Sequence, residues 1–256
     1  MRRLVIESDH HNNHRTGLIP PDWQKGSKKW RAHQRELWNW RKARIKELQP
    51  IDFYVLNGDA SDGLGQRSGG TELITTELNE IAEIGAFNID SVGASEYGII
   101  NGTGYHCAFG GSDIEPLIAS KTKTPCAFVS GQEFLEYRGV TFDFKHTVGG
   151  SSIPHGKFTA VAKEKLWNLL WSVREQQPNA DVIIRSHVHR FAYCGEKDWL
   201  AITTPGLQSF GSKYGVRQCS GTIDIGLLVF EIEDGEYSWR PILADLKQQV
   251  ARVTKR

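Results

Sequence analysis

Leu4-Val5-Ile6-Glu7-Ser8-Asp9-His10-His11 opens the chain with an apolar run that stops abruptly on polar residues. A run this short and this apolar reads as a buried strand, and it delivers Asp9 and His11 to that strand's carboxyl end. The pattern recurs. Ile51 to Leu56 closes on Asn57-Gly58-Asp59, and a weaker strand ends at Ile99-Ile100 before Asn101-Gly102-Thr103-Gly104-Tyr105-His106. Val140 to Lys145 runs out at His146, and Asp181 to Arg185 ends at Ser186-His187-Val188-His189.

Helical spacing separates these runs. Trp30, Leu37, Arg41, Ile45 and Leu48 track one face of a helix from Lys28 to Leu48. Gln49-Pro50 ends it, because a residue before proline avoids the α region. Further helices are predicted over Thr71 to Ile84 and Phe158 to Glu175. Glu133 to Tyr137 and Val140 to Lys145 flank Arg138-Gly139 as a hairpin, and Trp199 to Thr203, Gly226 to Ile232 and Tyr237 to Ile242 read as late strands. Strands that alternate with helices early and pair as hairpins late predict an α/β fold with a mixed sheet or two packed sheets. No linker marks a boundary, so residues 1–256 are expected to form one domain. In such folds ligands bind beyond the carboxyl ends of the strands, where every polar tip above lies.

Composition narrows the class. The 256 residues carry 31 Lys plus Arg against 30 Asp plus Glu, with 39% hydrophobic residues, which excludes coiled coil, collagen and wholesale disorder. No uncharged apolar run approaches the roughly 20 residues needed to cross a bilayer, and Arg2, Arg3, Glu7 and Asp9 stand where a signal peptide would be apolar. The expected location is the cytoplasm, with no membrane partner. Cys107, Cys126, Cys194 and Cys219 are far apart and form no Cys-x-x-Cys pair, so they are read as reduced, structural thiols rather than a zinc ribbon or a disulfide framework.

The strand tips therefore collect imidazoles and carboxylates, a donor set suited to divalent zinc, manganese, iron or nickel. Asp9 and His11, two residues apart in an extended segment, can converge on one ion. A bridging carboxylate such as Asp59 can hold a second ion about 3.5–4 Å away, the separation used by two-metal hydrolases.

In their order and character these motifs resemble the calcineurin-like metallophosphoesterases, whose motifs run Asp-x-His, Gly-Asp, Gly-Asn-His-Asp/Glu, a lone His and Gly-His-x-His. Asp9 and His11 match the first, Gly58-Asp59 the second, His146 the lone histidine and Ser186-His187-Val188-His189 the last, with Ser for Gly, over about residues 1 to 210. The resemblance implies a four-layer αββα sandwich of two mixed sheets flanked by helices, with a two-metal site on loops at one edge. Carried over by position, Asp9, His11 and His189 hold one ion, His146 and His187 the other, and Asp59 bridges; manganese is favoured among the possible metals.

The third motif departs from the pattern, because two residues are inserted and Thr103 stands where the family has Asn. Thr103 is placed at the asparagine's position, as a metal or substrate contact, and His106 at the catalytic histidine's. Asn101 is an alternative source of the missing amide. This form is similar to a divergent branch seen among phage and prophage phosphoesterases. The acidic residue that orients the catalytic histidine in the family is absent at Cys107.

Other constellations fail. Gly156-Lys157 lacks both the upstream glycine and the Ser or Thr of a phosphate-binding loop, and no Gly-x-Ser-x-Gly elbow exists. His10, His14 and His155 sit in polar loops and are read as solvated. Between Lys25 and Lys46 nine basic residues face a single acid, Glu36, with Trp30, Trp38 and Trp40 interleaved. That composition suits a polyanion, although an amphipathic helix that buries Trp and solvates Lys and Arg accounts for the same pattern. The resulting expectation is a dinuclear phosphoesterase in which a metal-held hydroxide attacks phosphorus in line and His106 protonates the leaving oxygen. A phosphodiester of a nucleotide or nucleic acid is the favoured substrate. The alternative is an inactive scaffold of the same fold that binds a protein or nucleic-acid partner.

Overall fold

The structure is a computed structural model that describes residues 1–64, 68–109, 112–151, 153–218, 221–246 and 254–255. In chain order the elements are β1 (Arg2–Glu7), α1 (Lys28–Glu47), β2 (Ile51–Asn57), α2 (Leu78–Asp90), β3 (Ala94–Ile100), α3 (Gly104–Cys107), β4 (Ala108–Phe109) and β5 (Ser112–Asp113). They continue with α4 (Glu115–Lys121), β6 (Cys126–Ser130), β7 (Gln132–Tyr137), β8 (Val140–Lys145), α5 (Gly156–Val173), β9 (Val182–Arg185), β10 (Ala192–Glu196), β11 (Trp199–Thr203), α6 (Lys213–Gln218), β12 (Gly226–Glu233) and β13 (Glu236–Leu243).

Two mixed sheets result, ordered β13-β12-β1-β2-β3-β6 and β10-β11-β9-β8-β7. In the first, β1, β2, β3 and β6 run parallel, β12 runs antiparallel to β1, and β13 antiparallel to β12. In the second, β8, β9 and β11 are parallel, and hairpin partners β7 and β10 close the edges. Side-chain alternation along β1 builds three layers at once. Leu4 and Ile6 face the second sheet, packing with Phe53, Val55, Phe142, Phe144, Val182 and Ile184. Val5 points the other way, into a cluster with Ile45, Tyr54, Leu56, Ile81 and Ile89 under α1 and α2. On the far side Val161 of α5 packs on Ile183 and Ala201. The order is helix, sheet, sheet, helix, the α/β sandwich that the motif resemblance implies.

One ionic network fixes the end of β1. Glu7 is fully buried and accepts bonds from Arg41 (Nε 3.0 Å to Oε1, Nη2 2.9 Å to Oε2), from the Tyr54 hydroxyl (2.9 Å) and from His10 Nε2 (3.0 Å). Arg41 also donates to Ser91 Oγ (2.6 Å) and the Asn88 carbonyl (2.9 Å), which ties α1 to the end of α2. Burial disfavours the Glu7 carboxylate, but the Arg41 charge and the His10 bond outweigh it and hold its pKa at about 2.

Several sequence expectations shift. The second helix begins at Leu78, not Thr71, because the preceding residues serve tertiary contacts: Leu73 bridges to His14, and the Glu72 carboxylate meets His14 and Arg15. The sequence expectations include no strand at β6 or β10, each of which lies at a sheet edge with most of its residues partly or fully exposed. Arg41, counted with the basic surface, lies in the core. Cys126 and Cys194 are free thiols, and Cys126 is exposed, so it packs no core. The Cys107 side chain, Cys219 and residues 65–67 of the glycine-rich loop lie outside the described residues.

Breaking the buried pair leaves an uncompensated charge, so Arg41→Met should destabilise the fold by about 3–5 kcal/mol in urea titrations. Because the folded pKa of Glu7 lies below its ordinary value near 4.5, the pair's contribution is complete above about pH 4.5 and is lost as pH falls towards about 2. Glu7→Gln should flatten that acid limb; an unchanged limb would show that the pair does not anchor β1.

Candidate metal centre

Parallel strands β1, β2 and β3 of the first sheet and β8 and β9 of the second end on the same side, and the loops that follow them carry every residue singled out above. The loops stay in register beyond the strands. Asp9 N bonds to the Gly58 carbonyl, His11 N to that of Asp59 and Asn12 N to that of Ala60, each at 3.0 Å. The Asn57 side chain donates to Ser186 Oγ at 2.6 Å, joining one sheet's tip to the other's.

Backbone strain is concentrated here. Asp9, His11, Asp59, His187 and His189 have φ of 52°, 42°, 48°, 72° and 49°. A left-handed conformation costs an ordinary residue roughly 1–2 kcal/mol, and it persists only where the surroundings impose it. The other three non-glycine cases, Arg138, Glu175 and Asp234, follow strands or a helix at turns.

The side chains form two groups. In the first, His189 Nε2 is 3.1 Å and His11 Nε2 4.0 Å from Asp9 Oδ1, and the two Nε2 atoms are 3.2 Å apart. In the second, His146 Nε2 is 3.0 Å and His187 Nδ1 3.9 Å from Asp59 Oδ2. The groups touch, since Asp59 Oδ2 lies 3.9 Å from His11 Nε2 and Asp9 Oδ1 lies 3.9 Å from His146 Nε2. Within each group the potential ligand atoms lie within 4.8 Å of one another, so each could hold a metal ion.

The donors fit such an ion. Both carboxylate oxygens of Asp9 and the Nε2 of His146 are buried and, despite the close approaches above, meet no neighbour in good hydrogen-bond geometry, a condition that points to a bound ion or water or to a reactive role. His146 Nδ1 donates to the Asn57 carbonyl at 2.8 Å, which turns Nε2 inward. Gly58 is required for this, because a Cβ there would sit 2.2 Å from His146 Nδ1. Gly206 is similarly confined, with the His189 ring 3.1 Å and Asp9 Cβ 3.2 Å from the place of its missing Cβ.

Electrostatics follow from burial. It raises the Asp9 and Asp59 carboxyls, yet His189 and His146 beside Asp9, and His146 and His187 beside Asp59, hold both well below the carboxylate range. Burial also opposes the His146 imidazolium, but Asp59 and Asp9 push it up to about 9. His11, where burial prevails, falls to about 4.

The third motif is organised differently from its sequence reading. The Thr103 amide (2.7 Å) and hydroxyl (3.1 Å) both donate to Asp59 Oδ1, so this residue orients the carboxylate. Asn101 does not supply the missing amide, because its Nδ2 donates to Asp113 Oδ2 at 2.8 Å. His106 Nδ1 meets Asp62 Oδ1 at 2.5 Å, and the same oxygen lies 3.3 Å from His11 Nδ1. Asp62 thus provides the orienting acid that Cys107 lacks. It also completes a third group, His11, Asp62 and His106, whose atoms converge. Sequence reasoning missed it, although its signal was present as a second carboxylate three residues after Asp59. Burial opposes the His106 imidazolium, and the Asp62 bond with the Asp59, Asp62 and Asp9 charges outweighs it, raising the pKa. His10 and His14 are buried rather than solvated, His10 on Glu7 and His14 between Thr16 Oγ1 (2.7 Å) and Glu72 (3.3 Å), whereas His155 is exposed.

No family profile and no curated protein matches the sequence. Among solved structures the chain is similar to zinc-complexed Vps29 from Entamoeba histolytica, at 10% identity and TM-score 0.48 over 94% of this chain and 98% of that one. It is also similar to a novel archaeal phosphodiesterase (13%, TM-score 0.44, 94% and 99%). A predicted phosphoesterase from Streptococcus pneumoniae resembles it too (11%, TM-score 0.41, 94% and 89%). At these values the likenesses carry nothing about activity. Among the described residues no helix is long and apolar enough to cross a membrane.

Gly58→Ala tests whether the room behind His146 matters. It should displace the ring and weaken Mn²⁺ or Zn²⁺ binding by about 10–100-fold in calorimetric titration, the usual cost of disturbing a ligand's support. Unchanged affinity would remove His146 from the ligand set.

Proposed function

We propose that the chain is a metallophosphoesterase of the calcineurin-like kind that hydrolyses a phosphodiester with two divalent transition-metal ions, manganese favoured. The observation that carries this reading is the pair of adjoining Asp/His groups, whose buried donor atoms crowd together across charge contacts such as His189 Nε2 to Asp9 Oδ1 and His146 Nε2 to Asp59 Oδ2, while the Asp9 oxygens and His146 Nε2 lack a hydrogen bond of good geometry. Asp9, His11 and His189 would hold one ion and His146 and His187 the other, with the Asp59 carboxylate shared. When bound, the ions supply Lewis acidity at the phosphoryl oxygens and lower the pKa of the attacking water towards neutrality.

The chain's own residues do the rest. Thr103 fixes the Asp59 carboxylate through two hydrogen bonds. Asp62 fixes the His106 ring through Nδ1, which leaves Nε2 to carry the proton that a departing oxygen requires. The Asp62 bond and the nearby carboxylate charges raise the His106 pKa, which favours the protonated ring. The favoured substrates are nucleotide or nucleic-acid diesters.

Three variants assayed on an aryl diester and on a nucleotide diester test the roles together. Asp59→Asn should lose hydrolysis and metal binding. His106→Ala should keep metal but lose roughly 10²–10⁴ in turnover on the nucleotide diester, and far less on the aryl ester, whose nitrophenolate leaves without a proton. Asp62→Asn should move the basic limb of the kcat/KM profile to lower pH, because it removes the group that raises His106. Equal losses on both esters would place the general acid elsewhere. Metal binding without any hydrolysis would instead favour an inactive scaffold.

A further inference from the structure

Helix α1 buries Gln34, Leu37, Trp38, Arg41 and Ile45 on one face. At 100° per residue, Lys28, Arg31, Arg35, Asn39, Lys42 and Lys46 fall within an arc of roughly 80° on another. Five of these six are cationic and all six are exposed. From Lys28 to Lys46 they span 18 helical steps, a rise of about 27 Å. None of the five cations forms a salt bridge among the described residues, whereas their neighbours Lys25 and Arg44 pair with Glu80 and Glu47. In a chain of net charge +1 this is a concentrated, uncompensated stripe.

We propose that the outward face of α1 binds the phosphate backbone of duplex nucleic acid, independently of whether the metal centre cleaves it. Charge complementarity selects a polyanion, and the regular line of cations along a rigid helix suits a stiff ladder of phosphates. Base stacking on single strands is disfavoured by the positions of the tryptophans. Trp38 is buried, Trp40 packs against the core, and the Trp30 ring is occupied by Arg15 at 4.5 Å and Lys29 at 5.2 Å. An anionic membrane is disfavoured as well. Binding there draws on inserted apolar side chains, and the residues beside the stripe on the exposed side are Ala32, Glu36 and Ala43.

The test uses the full chain and a fluorescein-labelled DNA duplex of about 20 base pairs, longer than the stripe, in EDTA so that no cleavage consumes the probe. Five backbone contacts predict a slope of about −4 to −5 in log Kobs against log salt between about 50 and 200 mM. The triple variant Lys28→Gln, Arg35→Gln, Lys42→Gln should reduce that slope to about −2. It should retain the melting temperature and the aryl-diester activity of the parent. A control with Lys163→Gln and Lys197→Gln should leave the slope unchanged. A triple variant with the parent's slope, parental binding no stronger than that of the triple variant, or binding to phosphatidylserine vesicles in place of DNA would overturn the proposal. Because affinity is read without catalysis, failure here leaves the phosphoesterase reading intact, and failure of hydrolysis leaves this one intact.

Discussion

Asp9 and Asp59 bring two carboxylates, both buried, to the carboxyl ends of neighbouring parallel strands. Desolvation and mutual repulsion each oppose ionising such a pair, so its charge requires positive compensation nearby. The surrounding architecture supplies it from both sheets: His11 from the first, and His146, His187 and His189 from the second. A site divided in this way exists only when the two sheets are packed against each other. The bonds from Asn57 to Ser186 and from His146 to Asn57 cross between the sheet tips at the place where the ligands meet.

Support for these groups extends outward in identifiable steps. Five of the six proposed ligands, all but His146, sit in left-handed backbone, a cost that the rigid ends of β1, β2 and β9 must sustain. Glu7, two residues before Asp9, is held by Arg41, Tyr54 and His10. Helix α1 therefore anchors the site through its buried face while an adjoining exposed face carries a row of cations that forms no salt bridge among the described residues. One helix can serve both ends because its periodicity separates the two faces.

Much of this was legible in the sequence, for physical reasons. A strand buried on both faces must be apolar, so Leu4-Val5-Ile6 and its counterparts announce themselves, and the polar residues ending each run are the ones delivered to the edge. Asp9, His11, Asp59, His146, His187 and His189 were found this way, and the structure brings all six together. Asp62 was not found, because a carboxylate in a glycine-rich loop has no visible role until His106, 44 residues away, folds against it. His10 and His14 were read as solvated because their partners, Glu7 and Glu72, are disclosed only by tertiary packing. Arg41 illustrates both outcomes: its spacing placed it on the buried face, but its charge alone suggested the surface. Edge strands β6 and β10 escaped because both are short and largely exposed: Cys126 to Val129 carries an apolar run but ends on no metal-ligating residue, and Ala192 to Glu196 shows no clean alternation.

Anomalous diffraction from crystals grown with manganese, recorded at the metal's absorption edge, tests the central claim most directly. Two anomalous peaks per chain are expected, about 3.5–4 Å apart and flanking the Asp59 carboxylate, one against Asp9, His11 and His189 and the other against His146 and His187. The absence of any peak between Asp9 and Asp59, or ions bound only at other residues, would contradict a two-metal centre.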